Sequence, residues 1–307
     1  RQFSWNLKKL MKIFDCTTFY SEHLMMDIRF HVLNNFVEKF IVCESTYSHS
    51  GKKKKLNFNI NNYQKFKDKI TYIVIDEEPS NIIGNRNGLA EPFEKRSDSL
   101  KRIELSYDYM IKALSGVNEN DLIILSDNDE IPNLNSKQFK DSKRDILIFK
   151  QLFFYYKFNL QYDLIPWFGS KAAKKKKLVS MSWLRNLKNK QYPFWRLDTL
   201  FSKNRYINLE IINDGGWHFT NLMTAEKMYE KYSNFGHHDE FQLSGLTVED
   251  LQKKIDNKEM FFNHFVDKEK YKERWNCDYK LKKINDDKLP EYLQSSEIRS
   301  KLKQWFD

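Results

Sequence analysis

Four consecutive aliphatic residues, Leu122-Ile123-Ile124-Leu125, run through Ser126 into Asp127-Asn128-Asp129-Glu130-Ile131-Pro132. Apolar side chains on successive positions are buried on both faces when extended, which is the pattern of a central strand in a parallel sheet. Asp127, Asn128 and Asp129 then stand at the carboxyl end of that strand, and Pro132 stops its continuation. Open α/β sheets bind ligands just outside the carboxyl ends of their strands. Carboxylates spaced i and i+2 there suit a hard divalent cation, Mg²⁺ or Mn²⁺, and the phosphates it carries. A polar turn that caps a helix would use the same residues.

The preceding sequence supplies the rest of such a sheet. Ile13 to Cys16 reads as a first strand, Leu24 to Phe36 as a helix, Phe40 to Cys43 as a second strand and Ile70 to Ile75 as a third. A short helix is expected over 63–69, an irregular loop over 77–93 and a helix over Ser99 to Leu114. Strand and helix alternate up to about residue 130, as in βαβ units. Beyond Pro132 the pattern changes. Ile146 to Asn159 reads as one long or two short strands, with further strands at Leu178 to Leu184, Leu197 to Phe201 and within 206–212. Helices follow at Ala225 to Ser233 and Val248 to Asn257, then a polar tail with an apolar stripe of Leu293, Ile298, Leu302 and Trp305. The expectation is one α/β domain over 1–307, with a mostly parallel Rossmann-type sheet flanked by helices, a mixed-sheet second half and helical C-terminal elements. Residues 1–132 would form a nucleotide-binding half, 133–270 an acceptor half and 271–307 the tail.

With 40% hydrophobic residues the 307-residue chain is not a disordered one. Its net charge of +10 favours anionic partners. Two lysine runs, Lys52 to Lys55 and Lys174 to Lys177, carry much of the surplus. Neither sits in a nucleic-acid-binding motif, so nucleotides and the head groups of an anionic membrane fit better than nucleic acid. No stretch reaches the ~18 apolar residues of a membrane span, and residues 1–10 lack the apolar core of a secretory signal. Met11 reads as a natural start after an upstream extension, and the expected location is cytoplasmic, with peripheral membrane contact. Cys16, Cys43 and Cys277 read as free thiols of a reducing compartment.

Three further groups carry potential chemistry. In Asp214-Gly215-Gly216-Trp217-His218, paired glycines allow a close backbone approach, Trp217 offers a stacking face and His218 a third metal ligand or a proton carrier. Ser233 to Glu240 places His237 and His238 beside Asp239 and Glu240, which suits acid–base work or a polar helix end. Arg96, Lys101 and Arg102 precede the fourth strand and could reach a diphosphate.

Taken together, these segments resemble glycosyltransferase family 17. Asp27-Ile28-Arg29-Phe30-His31-Val32-Leu33 is similar to its early D-[IV]-R-F-H-x-L segment. Val42-Cys43-Glu44-Ser45, followed by Gly51 and Leu56-Asn57-Phe58, is similar to its V-C-E-S block. Asp127 to Pro132 is similar to D-x-D-E-I-P, and Gly216-Trp217-His218 to G-W-H. The resemblance implies a GT-A-like fold, a UDP-sugar donor such as UDP-GlcNAc or a related hexose, a divalent metal and inversion at the anomeric carbon. It implies that Asp127 and Asp129 hold the metal and the donor diphosphate, with His218 nearby and Glu44 near the nucleoside or supporting the site. The residues themselves add His218 as third metal ligand and Arg96, Arg102 and Trp217 around the donor. Asp239, Glu240 and Glu130 are the candidates for the base. The membrane anchor, cysteine content and C-terminal extension of the eukaryotic Golgi enzymes are not in this chain, so their glycoprotein acceptor is not carried over. The Lys-, Asn- and Ile-heavy composition is that of an AT-rich microbial or viral genome, where a lipid-linked or surface-polysaccharide acceptor is natural. A carbohydrate- or nucleotide-binding module and a metal-dependent phosphoesterase are the competing readings.

Overall fold

The computed structural model describes residues 11–83, 92–193, 195–197, 201–202, 205, 208–234, 238–266 and 271–307, without the side chains of 92–95, 238–239 and 271–272. Along the chain, β1 (Ile13–Thr18) leads into α1 (His23–Leu33), β2 (Lys39–Ser45), a 3-10 segment (Ile60–Lys69) and β3 (Ile70–Ile75). Next come α2 (Pro92–Tyr109), continued as a 3-10 turn (Met110–Leu114), then β4 (Leu122–Ser126), β5 (Glu130–Pro132) and α3 (Lys137–Asp141). The second half holds β6 (Ile146–Tyr155), β7 (Leu160–Gln161), β8 (Trp167–Lys174), α4 (Met181–Asn186), β9 (Leu209–Ile212) and β10 (Gly216–Thr220). It ends with α5 (Ala225–Asn234), α6 (His238–Ser244), α7 (Val248–Asp256), α8 (Tyr271–Arg274), β11 (Lys282–Lys283), α9 (Glu291–Gln294) and α10 (Ser296–Lys301).

One sheet joins both halves, in the order β11-β7-β6-β8-β4-β1-β2-β3, with β9 and β10 also paired to β6. Strands β3, β2, β1 and β4 run parallel. Beyond them β8 is antiparallel to β4, and β6 to β8. The chain winds outward from β1 to β3 and then returns to place β4 on the other side of β1. That reversal opens a crevice at the carboxyl ends of β1 and β4, where Asp127 emerges.

The aliphatic run behaves as its pattern requires. Leu122 and Ile124 join one buried cluster with Phe30, Phe40 and Phe149. Ile123 and Leu125 join another, on the opposite face, with Cys16, Ile41 and Tyr107. A third cluster, which includes Phe153, Tyr155, Phe241, Phe261 and Trp275, fills the second half. The apolar stripe of the tail packs against the first cluster, with Leu293 fully buried. Cys16, Cys43 and Cys277 are free thiols. Among the described residues, no helix is long and apolar enough to cross a membrane.

Several local expectations change. Leu178 to Leu184 is not a strand: a 3-10 turn, Lys175–Lys177, precedes α4. Ser180 caps that helix by accepting the Trp183 N–H at 2.9 Å, and Met181 and Leu184, three apart, fill its buried side. The next strand in the sheet is instead β8, whose Gly-Ser-Lys-Ala-Ala sequence carries no apolar alternation. Pro132 does not prevent a short strand, because it ends β5 opposite Gly216 of β10. The Gly216-Trp217-His218 segment is part of a buried strand, β10. Gly216 has φ +114°, and a Cβ there would collide with the backbone of Ile131 and Asn133, so glycine alone fits. The expected strand at Leu197 to Phe201 falls largely outside the described residues.

Candidate active site

Asp127, Asn128 and Asp129 line a cleft of about 660 Å³ that opens beyond the carboxyl ends of β1, β2 and β4. That size is in the range of small-ligand sites. Its walls include Thr18, Tyr20, Ser45, Tyr47 and His49 from around the ends of β1 and β2, and Tyr155, Phe262, His264 and Trp275 from the second half. Lys54, Arg102, Arg185, Lys231 and Arg274 bring positive charge to its walls.

A buried scaffold holds the acidic turn. The Asp127 N–H donates to Glu130 Oε2 at 3.1 Å, and the Glu130 N–H returns a bond to the Asp127 carbonyl at 3.1 Å. Trp167 Nε1 donates to Glu130 Oε1 at 2.9 Å. Gly169 leaves the room for this carboxyl, since a Cβ there would overlap Glu130 and Gln151. Beneath the turn, Arg29 donates to both oxygens of Asp15 and to the Glu130 carbonyl. Glu130 is therefore 1% exposed and occupied with holding the turn. Burial, and then the charge of Asp127, push its pKa up.

The two aspartates point to different partners. Asp127 accepts from Tyr107 OH at 2.8 Å and from Arg185 Nη2 at 2.6 Å. Asp129 Oδ2 lies 3.3 Å from His218 Nε2. Burial alone would raise the Asp129 pKa, but His218, Lys231 and Thr220 outweigh it and hold the carboxyl well below the usual range. The His218 ring stacks on Phe153, 4.5 Å away, and on Trp167, 4.2 Å away, and these two rings also touch each other at 4.7 Å. These contacts follow from the sheet, where His218 of β10 lies opposite Glu130 on one side and Phe153 on the other.

The expected metal site was Asp127, Asp129 and His218. All three line the same cleft, yet among the described residues no three His, Cys, Asp or Glu side chains form a metal-holding group. A cation on His218 Nε2 would also move the ring proton to Nδ1, which is buried without a partner among the described residues. As they stand, these side chains do not fit a shared divalent cation.

The remaining sequence candidates divide between cleft and scaffold. Arg102 lines the cleft and is tethered to Glu78 at 2.7 Å and the His49 carbonyl at 3.1 Å. Glu240 stands beside the cleft, held by Arg274 at 2.9 Å, with Arg96 at 3.9 Å. Asp239 lies near the start of α6, with its side chain outside the described residues, as is all of His237. Glu44 is 1% exposed and faces inward, where it accepts from the Asn57 and Phe58 N–H groups, Tyr72 OH and Lys54 Nζ. It thereby anchors the Leu56-Asn57-Phe58 segment. Trp217 packs in the first cluster and donates to the Lys288 carbonyl at 2.7 Å. Adjacent strand residues face opposite sides, so Trp217 points away from the cleft that His218 lines.

Sequence reasoning missed Arg185, Tyr107, Trp167, His49 and Lys231 as cleft residues. Tyr107 read as part of the helix over Ser99 to Leu114, and Arg185 fell just beyond the strand expected at Leu178 to Leu184, so neither carried a visible signal. Burial lowers the pKa of His49 to about 4, so its ring enters the cleft neutral at pH 7. Lys171, 3% exposed, donates to the carbonyls of Arg185 and Leu187 at 2.7 and 2.6 Å. Burial, and then Arg185, lower its pKa to about 7.

A family model described as Glycosyltransferase family 17 matches residues 1–301. The human protein named beta-1,4-mannosyl-glycoprotein 4-beta-N-acetylglucosaminyltransferase is 30% identical over 112 residues. That match takes in 35% of this chain and 19% of the relative, so the chain spans a small part of the relative's length. Its rat counterpart matches equally, 30% identical over 112 residues with the same shares. Among solved structures, HddC from Yersinia pseudotuberculosis is similar at 11% identity over 66% of this chain and 91% of that one, with a TM-score of 0.32. A likeness that low adds nothing to the argument.

Proposed function

This chain belongs to glycosyltransferase family 17, and from that premise we propose that its cleft moves a sugar from a nucleotide-sugar donor to a carbohydrate hydroxyl. The observation that carries the reading is the Asp127 to Pro132 turn at the β1/β4 switch point, inside a cleft that also holds His218 and five cationic side chains. The donor is UDP-GlcNAc or a related UDP-hexose. Its nucleoside lies against Tyr20, Tyr47 and His49, and the acceptor against the aromatic wall of Phe262 and Trp275. Trp and Tyr faces serve sugar rings well.

In this reading the acceptor oxygen attacks the anomeric carbon as the bond to the diphosphate oxygen breaks. The bonding pair leaves with UDP, and the configuration inverts. The hydroxyl proton needs an acceptor, a role we assign to Asp129, which stays ionised beside His218 but accepts weakly because His218 and Lys231 hold its pKa down. Glu130 is committed to the turn, and Glu240 to Arg274. Charge developing on UDP is met by the cations of the cleft wall. None of these steps is routed through the divalent cation expected from the sequence.

Calorimetry against a panel of nucleotide sugars tests the reading without an acceptor. Binding of UDP-sugars and of UDP is expected. Binding of free sugars alone, with no response to any nucleotide sugar, would favour a carbohydrate-binding module instead.

A further inference from the structure

Arg185 is a cation of the cleft wall bonded directly to the Asp127 carboxylate. Its Nη2 lies 2.6 Å from Asp127 Oδ2, while Tyr107 OH occupies the other carboxylate oxygen at 2.8 Å. A third of its side chain stays exposed, on the cleft wall. The backbone beneath it is fixed. Lys171 donates to the carbonyls of Arg185 and Leu187, satisfying end groups of α4 that would otherwise be orphaned. Ser182, on the same helix, bonds both carboxylate oxygens of Asp108 on α2 through its N–H and Oγ. A guanidinium carries five N–H donors on a planar fork. The carboxylate can therefore orient the group and leave donors for a second anion.

This arrangement has a consequence for a phosphate ligand. Asp127 and Asp129 put two carboxylates at the strand end, and a diphosphate brought beside them needs positive charge between. Arg185 already stands against the first of them. Fork-shaped recognition of phosphate oxygens is what a guanidinium does better than an ammonium.

We infer that Arg185 binds the diphosphate of the donor, with Asp127, Tyr107 and Lys171 as the residues that position it. The inference rests on the nucleotide-sugar reading of the cleft and adds to it the group that meets the leaving phosphates. Asp127 is then an orienting partner of Arg185.

The test is calorimetric titration of wild type, Arg185→Gln and Arg185→Lys with UDP and with uridine, each with and without chelator. Folding is checked by thermal melting. Charge-assisted hydrogen bonds contribute roughly 1.5–3 kcal/mol, or ~10- to 100-fold in affinity. Arg185→Gln is expected to lose affinity for UDP by that factor and to bind uridine as wild type does. Arg185→Lys keeps the charge without the fork and should fall between; it carries the test if the glutamine variant does not fold. UDP affinity unchanged in both variants would overturn the inference, and so would a UDP affinity that chelator abolishes while the variants leave it intact. Failure of the wild type to bind UDP at all would instead reject the nucleotide-sugar reading.

Discussion

Arg29 grips Asp15 through two parallel hydrogen bonds, Nε to Oδ2 at 2.7 Å and Nη2 to Oδ1 at 2.5 Å, with both side chains out of solvent. Its remaining amino group reaches the carbonyl of Glu130, so α1 ties the first strand to the acidic turn. Removing one partner of a buried pair leaves an uncompensated charge, at a cost of about 3–5 kcal/mol. Arg29→Met should show that loss in urea denaturation. The double variant Asp15→Leu with Arg29→Met should recover much of it, because no unpaired charge remains. A loss in the double variant equal to the sum of the two single ones would contradict this account.

Glu44 makes a second prediction about the scaffold. It accepts from two backbone N–H groups, a tyrosine and a lysine. Glu44→Ala strands these donors inside the protein, at about 1–3 kcal/mol for an unsatisfied buried group. The expected result is a lower melting temperature together with faster proteolysis near Leu56 to Phe58. A variant as stable as wild type but unable to bind nucleotide would place Glu44 in the cleft instead.

How far the sequence could be read follows from these two residues. The period-one burial of Leu122 to Leu125 and the βαβ alternation are local signals, so the parallel half of the sheet was visible. The motif segments were visible too, but not the division of labour among them. Arg29 and Glu44 look like surface charges or ligand groups in one dimension. Only the fold shows that they bind protein: β4 beside β1 brings the Glu130 carbonyl to Arg29, and β3 beside β2 brings Tyr72 to Glu44. The mixed half was harder because β8 is a strand by virtue of its neighbours, and α4 by a serine cap within an apolar run. Arg185 and Tyr107 reach Asp127 from distant segments, a pairing that no spacing could announce.

Lys171 gives a pH-dependent prediction. Its ammonium titrates near ~10.4 in an unfolded chain and at about 7 in the fold. Between those values the unfolded chain holds the extra proton, so stability rises with pH across this window. The cost of burying the charge is fully present below about pH 7 and disappears towards the upper limit. Lys171→Met removes that dependence. Its melting temperature relative to wild type should therefore be more favourable at about pH 6 than at about pH 9. An offset that does not vary with pH would count against a buried ammonium at this position.

Asp129 and His218 bear on chemistry rather than folding. If the pair takes the acceptor proton, Asp129→Asn should lower kcat by roughly 10²- to 10⁴-fold and leave UDP affinity close to wild type. A kcat near wild type with a large rise in donor KM would assign Asp129 to donor binding.

The most direct measurement of sugar transfer in this cleft is time-resolved proton NMR of UDP-GlcNAc incubated with the protein, alone and with simple glycoside acceptors. The α-linked donor should be consumed, and the first sugar signal, in free GlcNAc or in a glycoside product, should be the β anomer. Initial release of the α anomer would contradict inversion, and no consumption of any nucleotide sugar under these conditions would contradict the proposed activity itself.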